Sequence, residues 1–245
     1  MDSGSFSLSW VDEREGGSVT NYGLADEERR INLNEARREV LRSLFVRAAG
    51  LDDDDADAIA ACIVDWRDAD DQPESAGAET DYYQGLHPGY SCHNGNLETI
   101  EELLLIKGVA PAIFQRVADY VTVYGGGKVN LNTAGSAVLL SLGDSLSGTT
   151  GDPAVESLVT KIGRFRDGGG VFESLGDAEQ ALSASESITS DEDLVFRRIL
   201  TLATVQSQAF RGVVQGRAGG SADPGVEVTF VFDRLNRRMQ FWHEN

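Results

Sequence analysis

Basic residues are scarce in this sequence: 21 Lys and Arg stand against 40 Asp and Glu, a formal net charge of −19 over 245 residues. A surface that acidic repels phosphate backbones and anionic lipid, which disfavours non-specific nucleic-acid binding and suits a protein that takes up cations. Long apolar runs are lacking too. No stretch approaches the roughly 20 apolar residues of a membrane span. The small, polar start Met1-Asp2-Ser3-Gly4-Ser5 carries no secretory signal and reads as an artificial edge, with any native leading segment outside it. Three histidines are present, and none accompanies a recognisable Ser or Cys nucleophile motif. No catalytic triad or paired-carboxylate acid–base site is expected, so the chain reads as a non-enzyme. Only two cysteines occur, Cys62 and Cys92. They fit one disulfide in an oxidising compartment or, alternatively, a small buried side chain on a helix face and a free loop thiol.

What is there reads as β at both ends and α between. Phe6 to Trp10 alternates apolar and polar as a half-buried strand does, and Ser18 to Gly23 is a weaker strand candidate. Leu202 to Gly216 reads as one long strand, followed by a loop over Arg217 to Gly225. Val226, Val228, Phe230 and Phe232 share one face of the next strand. A turn at Asp233 to Asn236 then leads into a returning strand with Met239 and Phe241 on one face. In the middle, helical spacing recurs at Leu41, Leu44, Phe45 and Ala48; at Ile59, Cys62, Ile63 and Trp66; at Ile113, Val117, Tyr120, Val121 and Tyr124; and at Val155, Leu158, Val159 and Ile162. Asp152-Pro153 is a cap followed by an N1 proline. Ser190 to Asp193 resembles a capped start, and Asp52 to Asp55 places acids at the positive end of a helix. Strands at the two ends that share a sheet imply an inserted helical domain.

The middle also repeats itself. Ile31-Asn32-Leu33-Asn34-Glu35-Ala36 recurs as Val129-Asn130-Leu131-Asn132-Thr133-Ala134, 98 residues later (129 − 31). Each copy runs from an extended segment into an amphipathic helix, whose start the second asparagine is placed to cap. Each then supplies a second helix that ends in charge, Asp65-Trp66-Arg67-Asp68 in one and Arg164-Phe165-Arg166-Asp167 in the other.

An acidic loop follows the first of those helix ends. Asp65, Asp68, Asp70, Asp71, Glu74, Glu79 and Asp81 crowd around Pro73 and Gly77. Hard oxygen donors on a flexible loop are what Ca²⁺ takes, six to eight of them at about 2.3–2.6 Å. Zinc would want His or Cys ligands, and His87, Cys92 and His93 lack a zinc spacing. The spacing is not that of an EF-hand either. A bare, solvated acidic loop is the alternative, but the carboxylates would then repel one another beside a helix C-terminus, itself partly negative. Further on, Glu101 to Val109 and the helix after Ala112 form a helix-hairpin-helix unit that turns on Gly108. Such units can bind DNA through hairpin N–H groups and basic neighbours. Here only Lys107 is basic, which favours a packing role. Gly125-Gly126-Gly127 and Gly168-Gly169-Gly170 lack the strand–loop–helix setting of a phosphate cradle.

Taken together, Asp26 to Asn34, Asp65 to Asp71, Gly77-Ala78-Glu79 with Tyr82-Tyr83, Glu102 to Gly108 and Val129 to Ala134 resemble the minor pseudopilin K family of type II secretion (general secretion pathway protein K, GspK). The resemblance runs from about Phe6 to Trp242. It implies an α+β fold, with a pilin-like antiparallel sheet from 1–31 and 201–245. Into that sheet an all-α domain, 32–200, is inserted, built of two repeats (32–128 and 129–200) containing helix-hairpin-helix, SAM-like units. It implies calcium in the acidic loop, with Asp65, Asp68, Asp70, Asp71, Glu79 and Asp81 as candidate ligands, and a structural role at the tip of the secretion pseudopilus. The expected partners are the I and J minor pseudopilins, with H as a further one, and no nucleic acid. The expected location is the periplasm of a Gram-negative bacterium, anchored in the inner membrane only by an N-terminal helix that is missing here. The runner-up is a nucleic-acid binder built on tandem helix-hairpin-helix units.

Overall fold

The computed structural model describes residues 4–14, 17–217 and 225–244, so the loop expected after Arg217 lies largely outside the described residues. The chain opens with β1 (Ser5–Arg14), β2 (Gly17–Tyr22) and the short β3 (Ala25–Asp26). The first half of the helical domain follows: β4 (Ile31–Asn32), α1 (Arg38–Leu44) continued by a π-helical turn at Phe45–Ala49, α2 (Asp53–Arg67), α3 (Thr80–Gln84), a 3₁₀ turn at Ile100–Leu105, α4 (Pro111–Val117) and β5 (Val121–Thr122). The second half is β6 (Val129–Asn130), α5 (Ser136–Ser147), α6 (Pro153–Asp167), α7 (Ala178–Ser185), α8 (Ser190–Leu200) and β7 (Ala203–Thr204). The chain ends in β8 (Ala209–Arg217), β9 (Val226–Asp233) and β10 (Arg238–Glu244). These last three join β1 and β2 in one antiparallel sheet of order β10-β9-β8-β1-β2, with β3 beside β8.

The helix starts obey local chemistry. Asp52 accepts from Asp55 N at the head of α2, and Asp152 from Ala154 N ahead of Pro153. At α8 the cap is Thr189, one residue before the expected Ser190, and it forms a reciprocal box with Glu192. The hairpin unit after Glu101 has a 3₁₀ turn for its first arm, not an α-helix, and Thr99 and Glu102 close a capping box at its start.

The internal repeat is visible bond for bond. In the first half Asn34 donates to Leu97 O and accepts from Leu97 N; in the second Asn132 does the same with Phe172. Arg67 reaches Leu33 O and Ala36 O, and Arg166 reaches Leu131 O and Ala134 O. A two-residue parallel ladder closes each half: Ile31–Asn32 on Val121–Thr122, and Val129–Asn130 on Ala203–Thr204. The expectation that Asn34 and Asn132 cap helices is therefore corrected. No side chain caps α1 or α5. An amide that saturates both groups of a distant backbone residue satisfies two buried partners at once, which a single cap bond does not.

Two further expectations are corrected, and one alternative left open by the sequence is decided. The strand expected over 202–216 is broken, because Ala203–Thr204 pairs inside the helical domain and Ala209 onward pairs in the sheet. A turn between them is tied by Gln206 N donating to Thr204 Oγ1. Met239 and Phe241 do not share a face. A bulge sets Met239 opposite Phe232 but Phe241 opposite Val231, and one extra residue inverts every side chain after it. Cys62 and Cys92 are both buried, free thiols and form no disulfide.

The hydrophobic core belongs to the helical domain, running as one cluster from Ile31 to Ala203. In the sheet only Ala25, Ala209 and Val231 are buried apolar residues among those described. Val231 points to the side where its cross-strand neighbour Arg211 meets the buried Glu27. The apolar row read from the sequence (Val226, Val228, Phe230, Phe232) points the other way and is half-buried or exposed. It continues across the sheet through Leu8, which with Leu24 and Phe230 closes over the flat backbone of Gly212.

Candidate cation site and the junction beneath it

α2 delivers two of the acidic residues, Asp65 inside its last turn and Asp68 at its C-cap. The chain then loops out and returns so that Glu79 precedes α3. The carboxylates of Asp65, Asp68 and Glu79 lie within 4.8 Å of one another. Asp65 is fully buried; its two oxygens accept from Glu74 N (3.0 Å) and Ala78 N (2.6 Å). The loop can close this tightly only at a glycine, since a β-carbon on Gly77 would sit 1.9 Å from Asp65 Oδ2. Glu79 is 4% exposed, and neither of its oxygens finds a hydrogen bond of normal geometry among the described residues.

The electrostatics follow from that packing. Burial pushes the Glu79 carboxyl up to about 7; the Cys92 thiol pulls the other way, and the charges of Asp65, Asp68 and Asp71 add to the rise. Burial also raises Asp65, against its two backbone bonds, and raises Asp68. The neighbouring cations are committed elsewhere. Lys107 Nζ donates to Gly77 O and stacks over Tyr82, and Arg38 binds Asp57 and Glu74. Burial pushes the Cys92 thiol up to about 12, and His93 is tied to Glu102. The converging donors are carboxylate oxygens, and two buried oxygens lack partners. Such a set fits a hard divalent cation of the calcium kind.

Of the six candidates, the structure brings together Asp65, Asp68 and Glu79 and leaves Asp70, Asp71 and Asp81 exposed. Asp70 accepts from Gln72 N, and Asp71 from Asn94 Nδ2. Asn94, a left-handed residue at φ 51°, also donates to Asp70 O, so it pins the loop tip. Sequence reasoning missed this brace. It also missed Glu102, which gathers Trp66 Nε1, His93 Nδ1, Glu98 N and Thr99 N. The signal for Glu102 was present in the spacing Thr99-x-x-Glu102.

A second buried acidic cluster joins the domains. Asp26 Oδ2 accepts from Asn130, Thr133 and Ser207. Glu27 binds Arg30, Arg211 and Thr122, and Glu28 accepts from Gly126 N and Gln208 N. The partners come from 122–126 in the first half, 130–133 in the second and 207–211 at β8, so the three acids rivet both halves of the helical domain to β8 and the chain before it.

These features define a class: an antiparallel sheet with a large repeated helical insertion and a buried carboxylate cluster. The family described as type II secretion system (T2SS), protein K, matches residues 16–126. The putative type II secretion system protein K of Escherichia coli K12 is 30% identical over 131 residues, 48% of this chain and 40% of that protein. The protein K of Dickeya chrysanthemi is 36% identical over 107 residues, 42% of this chain and 29% of its own length. The aligned stretches thus span less than half of these relatives. A chain of the crystal structure of the GspK–GspI–GspJ complex from enterotoxigenic Escherichia coli has the same fold, with a TM-score of 0.69 at 15% identity over 97% of this chain and 83% of that one. The chain is therefore similar to the protein K family of type II secretion over residues 16–126, and it shares the fold of the GspK–GspI–GspJ chain along nearly its whole length. No described helix is long and apolar enough to cross a membrane.

Proposed function

We propose that this chain is the periplasmic part of a minor pseudopilin K, a non-catalytic subunit that caps the secretion pseudopilus and assembles with the I and J minor pseudopilins, with H alongside. The sheet of β1–β3 and β8–β10 is the pilin-like part, and the helical domain between β3 and β8 is the insertion with its two helix-hairpin-helix repeats. The observation that carries the reading is the uncovered apolar side of the sheet. Leu8, Val228, Phe230 and Phe232 remain half-buried, whereas on the opposite side Ala209, Val231 and Asp233 are buried. In the assembled protein this side takes the hydrophobic helices of an anchor and of partner subunits. The bulk of the inserted domain beside it leaves room for subunits on one side only, as suits a tip. Co-purification with the I and J proteins of the same secretion system tests this. Phe230→Lys is expected to abolish the complex while leaving the isolated chain's melting temperature within a few degrees. An intact complex with that variant would overturn the reading.

Calcium is the proposed ion at Asp65, Asp68 and Glu79, with the loop that carries Asp70, Asp71 and Asp81 around it. Once bound it offsets the mutual repulsion of the three carboxylates. The residues hold the loop: Asp65 fixes its backbone at Ala78, and Glu79 presents two free oxygens. Calorimetric titration of the metal-free chain with Ca²⁺ measures it directly; no heat, and no change of melting temperature with chelator, would remove the ion from the account. The nucleic-acid reading finds no support. The single basic residue of the hairpin, Lys107, is occupied at Gly77 O and Tyr82.

A further inference from the structure

β10 ends the sheet, and among the described residues no strand lies along its outer edge. Bare edges invite pairing, and soluble proteins shorten, charge or cover them. Here the bulge at Gln240 disturbs only the first part; beyond it Phe241–Glu244 pairs regularly with Val231–Val228 and leaves four residues of flat edge. Beside Arg238–Phe241 a groove of about 590 Å³ opens toward the loop Asn96–Thr99.

The charge at this edge is opposite to that of the molecule. Against −19 overall, Arg234, Arg237 and Arg238 fall within five positions, and between Asp233 and Glu244 there is no other acid. Asp233 is already bound by Asn236, and the guanidinium of Arg238, 66% exposed, stands 3.9 Å from it. Apolar side chains alternate with the arginines: Leu235 is 69% exposed, Met239 50% and Trp242 58%. Exposed Trp, Met and Arg on one strip are the composition of a protein-binding surface.

We propose that β10 is a docking edge for a partner protein, which adds an extended acidic segment as a further strand. Carboxylates of that segment meet Arg237 and Arg238, and its apolar residues lie against Met239 and Trp242. The edge selects the occupant. The backbone along its outer side, where no described strand pairs, is matched by another strand and not by a lipid surface. An acidic segment matches all the arginines of the strip, whereas antiparallel pairing of β10 with a second copy would match only Arg238, opposite Glu244. The inference rests on neither the family assignment nor the cation site.

A fluorescent peptide of alternating Val and Glu, eight residues long, is the probe, titrated into the full chain and followed by anisotropy. Saturable binding is expected, weakened about tenfold or more by Arg237→Glu with Arg238→Glu, weakened by salt, and absent for the same peptide N-methylated along its backbone. Thermal melting of the double variant confirms that it is folded. No binding of the probe, equal binding of the methylated probe, or undiminished binding by a folded double variant would overturn the proposal. So would binding to phosphatidylglycerol vesicles with no binding to the peptide, which would make the basic strip a lipid contact.

Discussion

Gly77 and Glu79 carry the tightest local constraints in the acidic loop. Any side chain at Gly77 meets Asp65 Oδ2, and Asp65 cannot retreat because it is buried and holds two backbone N–H groups. Gly77→Ala is therefore expected to lower stability by about 1–3 kcal/mol and to blunt any stabilisation by Ca²⁺, both readable from melts with ion and with chelator. Glu79 sets a pH dependence. Its folded pKa, about 7, lies above its ordinary value near 4.5. Its contribution to stability is therefore complete below pH 4.5 and is lost as pH rises through 7 in the metal-free protein. A bound cation reverses that trend, since it favours the charged carboxylate. Denaturation of the metal-free chain at pH 5 and pH 8 should show the loss, Glu79→Gln should flatten it, and calcium affinity should rise over the same interval in the parent chain alone.

The helices owe their ends and their placement to a few buried polar bonds. Glu192 caps α8 and is gripped by Lys161 at 2.6 Å; against burial, these bonds bring its carboxyl down to about 2. The sign is opposite to that of Glu79. The stabilisation is present above about pH 4.5 and is lost as pH falls toward 2. Glu192→Gln should remove about 1–3 kcal/mol at neutral pH and weaken the acid dependence of unfolding followed by circular dichroism. The repeat makes a paired prediction. Asn34→Ala and Asn132→Ala strip equivalent backbone partners, at Leu97 and Phe172, so each should cost about 1–3 kcal/mol. Between Arg67 and Leu97 lie the acidic loop, α3 and the cis-proline segment, where the second copy goes from Arg166 to Phe172 directly. The candidate cation site is thus an elaboration within one copy of a duplicated unit.

At the scale of the molecule, the helical domain holds the core and the sheet is attached to it by polar contacts. Glu27 is completely buried, and its carboxylate takes Arg211 from the sheet together with Arg30 and Thr122. Removing one partner of such a buried group leaves the others uncompensated. Glu27→Gln, or Arg211→Met, is expected to cost about 3 kcal/mol or more. The loss should free the sheet before the helices unfold, seen as proteolytic cleavage between the two parts while helical circular dichroism persists.

Periodicity and local chemistry were enough to mark out the β–α–β order, most helices, the acidic start of α2, the cap at Asp152, the duplicated Asn-Leu-Asn and the acidic loop. All of these depend on neighbours within a few positions, and such constraints are written in the chain itself. The sequence could not say that Asn34 and Asn132 serve residues tens of positions away, or that a bulge turns Phe241 over. Nor could it say which side of the sheet the helical domain takes, since both sides of β9 carry apolar residues. It crowded the acids into one stretch. Only the tertiary path decided that Asp65, Asp68 and Glu79 converge while Asp70, Asp71 and Asp81 face water, because spacing along a loop does not determine where its side chains point once the loop is folded against a core.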